Sequence, residues 1–363
     1  MGVLSGFKIV EFAAIGPVPW CARLLADMGA HIVRIDRPGS QAPSADSDFI
    51  RGGRTVVELN LKTPEGLSSA LALVSKADAV IEGMRPGTME RSGLGPSDCM
   101  RLNPALVYGR MTGWGQEGPL ATRAGHDINY IALAGVLHAI GPAERPAIPL
   151  NLVGDYGGGG AFLAIGLLAA LLQARATGKG DVIDAAMVDG ASFLMAPAYG
   201  RLASGQWIDQ REQNFLDGSS PWYSVYETSD GKFVAVGAIE PQFYSELLAK
   251  LGIPEDSLPS RDNKSDWPHI RRRLAEVFRQ QTRDEWTARL EQSDACVTPV
   301  LSMSEAQQHP HNRARRTFVA WEDQLVPAQA PRFASEAVSR QGRSQSATAA
   351  DIVSEWSVSP GQP

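Results

Sequence analysis

Three residues of this chain are suited to moving protons, and they lie far apart. His126 stands with Asp127 in GHDINY (125–130), just ahead of the apolar run IALAGVLHAI. Asp155 lies in LVGDYGGGG, and Glu240 follows the strand-like run VAVGAI and precedes PQFY. Each also has a purely structural role open to it. His126 is placed to begin a helix, Asp155 to cap one, and Glu240 to favour a helix dipole ahead of Pro241, a residue suited to a first turn. A histidine at a helix start, however, stands beside backbone N–H groups without helical partners, which can hold an oxyanion.

The neighbouring motifs are less telling. GWGQEG (113–118) fits a dinucleotide pattern, but Pro119 and LATRAG follow where a helix should present its N-terminus to a pyrophosphate. The four glycines 157–160 lack the Gly-Lys-Ser/Thr ending of a phosphate loop and point instead to close backbone approach. Arg34, Arg37, Arg85 and Arg91 have an ordinary reading as solvated surface. Arg37 and Arg85 nevertheless follow predicted parallel strands, each before a proline, where open α/β sheets bind ligands, and phosphate is the natural guess there. His138, His269, His309 and His311 have structural readings.

The elements that must carry these residues alternate. Strands are expected at 7–12, 31–36, 55–61, 79–84 and 105–113, with helices at 21–29 and 63–78 between them. That order implies a parallel sheet covered by helices. Two apolar helices are expected in the core, at 127–140 and 161–176. Residues 200–222 have no clear periodicity and read as an extended connection. A hairpin signature follows at 223–239 with its turn at Asp230-Gly231, then helices at 241–251 and about 270–292, and a strand at 296–301. The fold class is therefore α/β, with a Rossmann-like large domain (1–196), a linker (197–222), a small α+β domain (223–310), a return linker (311–330) and a C-terminal part of the large domain (331–363).

With 363 residues, 44% hydrophobic and 20% charged, the chain is long enough for a large core. The formal net charge of -6 disfavours general nucleic-acid or membrane-surface binding, while leaving room for a local basic patch. Cys21, Cys99 and Cys296 form no C-x-x-C, so neither a disulfide framework nor a thiolate metal site is expected. The apolar run 161–174 is too short to span a bilayer. With no recognisable targeting signal, a cytoplasmic protein is expected.

Taken together, LSGFKIVEFAAIGPVPWCARLLADMGAHIVRIDRPG, LNLKTPEG, MRPGTMERSGLG, GHDINYIALAG, GDYGGGG, DGKFVAVGAIEPQFY and HPHNRARRTF resemble the α-methylacyl-CoA racemases of the family III CoA-transferase superfamily. The resemblance covers about residues 4 to 335. It implies a homodimer whose subunits interlock like chain links, with active sites shared between them. It further implies that His126 and Asp155 face Glu240 of the other subunit. By the same likeness, the CoA of an acyl-CoA thioester would lie along Ile15, Arg37, Leu59, Lys62, Gly83, Met84, Arg85 and Arg91, reaching Gly125 and Tyr130 near the thioester. CoA would then be part of the substrate, and neither a separate cofactor nor a metal is expected.

The chemistry so implied is physically consistent. Inverting a carbon that bears one acidic hydrogen requires an acid/base group on each face, and a thioester carbonyl accepts the charge as an enolate. His126 assisted by Glu240 would serve one face and Asp155 the other, each transfer typically contributing ~10²–10⁴-fold. The Asp127 N–H would hold the enolate oxygen, a role whose loss typically costs ~2.7–4 kcal/mol. The alternative is a CoA-transferase of the same superfamily, with Asp155 as a nucleophile forming an acyl anhydride and then an aspartyl-CoA thioester. A non-catalytic CoA-binding dimer would have no use for the three acid/base residues.

Overall fold

The parallel sheet explains where the chain can carry a site. Strands β1 (Lys8–Phe12), β2 (His31–Asp36), β3 (Arg54–Glu58), β4 (Ala79–Glu82), β5 (Val107–Thr112) and β6 (Val182–Ala186) lie in the order β3-β2-β1-β4-β5-β6. A short C-terminal strand, Gln345–Ser346, joins the free edge of β3, and every pairing in this seven-stranded sheet is parallel. The computed structural model describes residues 2–40, 50, 52–334, 342 and 344–358. From β1 the chain winds outward through β2 and β3, then returns to pair β4 on the other side of β1. The carboxyl ends of β1 and β4 are thus the point where strand order reverses, the usual ligand crevice of an open α/β sheet.

Helices α1 (Pro17–Asp27) and α2 (Pro64–Val74) connect these strands, and their starts follow from their sequences. Pro17 occupies the first turn of α1, and Thr63 caps α2 by accepting the Gly66 N–H at 3.1 Å. The central strands are buried on both faces, as in β1, where Ile9, Val10 and Phe12 are sealed from solvent.

Glu11 breaks that apolar run. It is fully buried and paired with Arg34 at 3.1 Å and Arg54 at 2.5 Å. Arg54 also donates to the carbonyls of Pro19 and Gly52, which ties α1's first turn to the sheet. Removing one partner from a buried ion pair leaves an uncompensated charge, so Arg54→Met is expected to cost about 3–5 kcal/mol. A urea unfolding curve measures it; an unchanged midpoint would show the network to be dispensable.

After β5 the helices depart from their expected spans. The 127–140 run splits into α3 (Asp127–Leu133) and a short turn, Val136–Ala139, because Gly135 has φ 73°. The glycine-rich segment Leu152–Ala161 is a π-helix that runs directly into α4 (Phe162–Thr177). Asp155 therefore lies within a wide helical turn rather than capping the helix after it. Gly158 explains this packing, since a Cβ there would come within 2.5 Å of the Ala191 N in α5 (Met187–Leu194). The continuous stretch Leu152–Thr177 is 26 residues, long and apolar enough by composition to cross a membrane. Here Leu163, Leu167 and Leu171 of α4 pack into the sheet core. Strand β6 was not anticipated; its burial pattern, exposed at Val182 and Asp184, partly buried at Ile183 and buried at Ala185 and Ala186, gives little strand periodicity.

The chain divides into two units. The first comprises residues 1–136, 149–196 and 311–363, the second 137–148 and 197–310. Residues 137–148, expected inside the large domain, thus group with the second unit, and so does the expected linker, which begins with a helix at Ala196–Ala203. The expected return linker groups with the first unit and holds a two-stranded hairpin, Phe318–Trp321 with Gln324–Pro327.

In the second unit, β7 (Tyr223–Glu227), β8 (Phe233–Gly237) and β9 (Val297–Pro299) form an antiparallel sheet, with the β7–β8 turn at Asp230-Gly231. Helices α6 (Pro241–Leu251), α7 (Trp267–Phe278) and α8 (Arg283–Leu290) cover it. The single helix expected over 270–292 is two, because Thr282 and Glu285 form a capping box that starts α8. All three cysteines are free, Cys21 and Cys99 being buried.

Candidate active site

A cleft of about 370 Å³ opens at the carboxyl ends of β1, β4 and β5, and His126, Asp155, Gly125 and Tyr130 all line it. Ile15, Gly83, Met84 and Arg85 complete the wall formed by the loops after β1 and β4. A smaller cavity of about 210 Å³ shares Met84 with it and is lined by Arg37, Leu59 and Lys62. The two cavities follow the strand ends from His126 and Asp155 towards β3. Arg37, Lys62 and Arg85 are exposed cations along this path, suited to an anionic ligand. Arg91 lines neither cavity; its guanidinium donates to Thr88 Oγ1 at 3.2 Å.

His126 begins α3 with an extended backbone, φ -134°. Asn129 Oδ1 accepts the His126 N–H at 3.0 Å, and the Asn129 N–H donates to the His126 carbonyl at 2.8 Å. Backbone and Asn129 thereby close the helix start, and the exposed imidazole faces the cleft. The Asp127 N–H, the first of the helix, has no helical carbonyl one turn back, whereas those of Asn129 and Tyr130 reach the His126 carbonyl.

Asp155 is half-buried, and the Asn151 amide donates to its Oδ2 at 3.0 Å. Its own N–H donates to Asp127 Oδ2 at 2.7 Å. Burial pushes the Asp155 carboxyl above its usual range and the Asp127 charge adds to this, while Asn151 and His126 oppose it. A carboxyl raised in this way is better matched to both giving and taking a proton near neutrality. Tyr130 is also raised by burial and by the nearby charges of Asp155 and Asp127, so it remains a neutral phenol.

Tyr130 accounts for Gly113, the first glycine of the run that looks like a nucleotide motif. Its ring fills the space where Gly113 would carry a side chain, with Cζ 2.0 Å from an ideal Cβ, and packs edge-on against Trp114 at 4.7 Å. Gly113 thus makes room for an aromatic wall.

Glu240 belongs to the second unit. It is the N-cap residue of α6, yet its carboxylate makes no capping hydrogen bond among the described residues, and it is exposed. Its backbone is firmly held. Arg261 stacks over Trp222 and Tyr244 and donates to the Ile239 carbonyl at 2.5 Å, while the Tyr244 N–H donates to the Glu240 carbonyl at 3.0 Å.

Some contributors went unnoticed in the sequence. Asn151 carries no motif and is recognisable only once the π-helix brings it beside Asp155. Glu82 had a signal, an acid ending the otherwise apolar strand AVIE. It is fully buried, pairs with Arg110 at 3.1 Å and accepts the Met84 N–H at 2.6 Å, which shapes the Gly83–Arg85 wall.

Known proteins resemble this chain over most of its length. The sequence profile of CoA-transferase family III matches residues 4–348. Human α-methylacyl-CoA racemase is 45% identical over 330 residues, covering 90% of this chain and 86% of that protein. The mouse racemase is 43% identical, covering 91% and 86%. A solved CaiB/BaiF family protein from Brucella suis superposes with a TM-score of 0.82 at 25% identity, covering 98% of this chain and 99% of that one.

Proposed function

The chain belongs to CoA-transferase family III, and on that premise we propose that it is an isomerase interconverting the (2R) and (2S) epimers of 2-methylacyl-CoA thioesters. The observation that carries this is the shared cleft: His126 and Asp155 line it together, and His126 stands at the start of a helix whose first N–H, that of Asp127, lies ahead of any helical acceptor and suits an enolate oxygen. His126, assisted by Glu240, exchanges the α-proton on one face and Asp155 on the other, with roles reversing in the opposite direction. The Asp127 N–H holds the enolate. Acid–base residues and a main-chain donor supply every step, so the reaction needs no cofactor beyond the CoA of its own substrate. The similarity to two mammalian α-methylacyl-CoA racemases supports this chemistry over CoA transfer, in which His126 would have no evident task.

The CoA moiety runs from the cleft along Met84, Arg85, Leu59, Lys62 and Arg37, its phosphates meeting these cations. Active sites are shared within an interlocked homodimer. In support, Ile165 and Leu172 of α4 expose 61% and 70% of their surfaces, one helical face apart by seven residues, and Phe193 exposes 68%. Apolar groups exposed to this extent mark a face that a partner covers.

Incubation of either epimer in D2O tests the reading. Deuterium should enter the α position while both epimers converge on one mixture. Retention of the α-hydrogen with CoA passing to a free acid would instead support Asp155 as a nucleophile.

A further inference from the structure

The Asp127 side chain has a place that neither helix capping nor oxyanion binding explains. A first-turn aspartate normally faces solvent, where it favours the helix dipole. This one is 6% exposed. Its Oδ2 accepts the Asp155 N–H at 2.7 Å, and its Oδ1 is buried with no hydrogen-bond partner among the described residues. The chain makes room for it: an ideal Cβ on Gly154 would come within 2.4 Å of Asp127 Oδ2. An oxygen buried without a donor is costly for stability, so this carboxylate is poorly explained as a stabilising contact.

We propose that the Asp127 carboxylate is a positioning residue for the proton transfer, fastening the main chain of Asp155 to the start of the helix that begins at His126 and setting a negative charge beside the Asp155 carboxylate. This rests on the proton-exchange reading of the cleft. One hydrogen bond couples the two segments that carry the opposed acid/base groups, so that neither moves without the other. The other groups facing Asp155 are Asn151, which donates to it, His126, whose charge attracts it, and Tyr130, a neutral phenol. Asp127 is the only one of these four whose charge opposes ionisation of Asp155.

Asp127→Asn separates charge from anchorage, because the amide oxygen still accepts the Asp155 N–H. The sign follows from the charge. Without it Asp155 ionises more readily, so for the epimer whose α-proton Asp155 removes, the acid limb of kcat/KM moves about 0.5–1 pH unit lower. The Asp155 carboxyl, followed by carbon-13 NMR titration, moves the same way. Asp127→Ala also removes the acceptor and lowers kcat about 10–10²-fold with little change in KM, as misplacement of a reacting group does. An acid limb and a carboxyl titration that both stay in place in Asp127→Asn overturn the proposal, as does a wild-type kcat in Asp127→Ala. If the wild-type protein exchanges no α-proton but the carboxyl titration still moves, the racemase reading fails and the placement of charge stands.

Discussion

In Asp155→Ala protein, epimerisation falls by about 10²–10⁴-fold, and His126→Ala falls by a similar factor. The informative result is what survives. Two acid/base groups on opposite faces of one carbon are needed to invert it, but only one is needed to remove a proton and return a deuteron to the same face. Asp155→Ala should therefore still wash deuterium slowly into the epimer whose hydrogen faces His126, without inverting it. His126→Ala should do the same for the other epimer. Neither substitution removes a structural contact made by the main chain: the Asp155 N–H still reaches Asp127, and Asn129 Oδ1 still accepts the N–H of residue 126. Circular dichroism and thermal midpoints should stay close to wild type. Proton NMR of the α-methyl region reads inversion and exchange together. Near-normal epimerisation in either variant would remove that residue from the mechanism, and exchange into the same epimer in both would place the two groups on one face.

Much of this arrangement was legible in the sequence, for reasons that also mark where legibility stopped. Parallel strands buried on both faces read as short apolar runs between amphipathic helices, so β1 to β5 stand out, and His31–Asp36 has the expected bounds. Pro241 and Gly252 bracket α6, which occupies its expected span. The failures share a cause, in that tertiary packing overrode local pattern. Nothing local distinguishes a π-helix from a loop in LVGDYGGGG; the wide turn exists because glycine lets Ala191 approach that backbone. The division of 267–290 into two helices needed the Thr282–Glu285 capping box, which interrupts an otherwise continuous helical pattern.

Residue types pointed to His126 and Asp155, which line the cleft, and to Glu240, which lies in the second unit, while the groups bonded to Asp155 did not announce themselves. Asn151 and the Asp127 carboxylate act through contacts 4 and 28 residues from Asp155 in sequence, which no spacing rule anticipates. Arg91 shows the converse. It stands in a motif shared with the resemblance, yet its guanidinium is turned towards Thr88 rather than into either cavity.

Mixing two inactive proteins, Glu240→Ala and Asp155→Ala, should restore activity once subunits exchange. The reasoning is geometric. If each site joins His126 and Asp155 of one chain to Glu240 of the other, a two-fold dimer of the two variants contains one site with every residue intact and one with both residues missing. Random exchange makes about half the dimers mixed, so recovery should approach about a quarter of wild-type turnover, from a background set by the two homodimers. Glu240 suits such a role. Its carboxylate is exposed and not engaged in capping α6, while Arg261 and the Tyr244 N–H fix the backbone on either side of it. A side chain presented outward from a rigid mount is what a neighbouring subunit's site requires, since a flexible one would lose the alignment that proton transfer demands. Differently tagged variants allow mixed dimers to be isolated and counted independently of turnover. Isolated mixed dimers that remain as inactive as their parents would show that each site is built within a single chain, leaving Glu240 either to serve its own chain's His126 or to take no part in the chemistry.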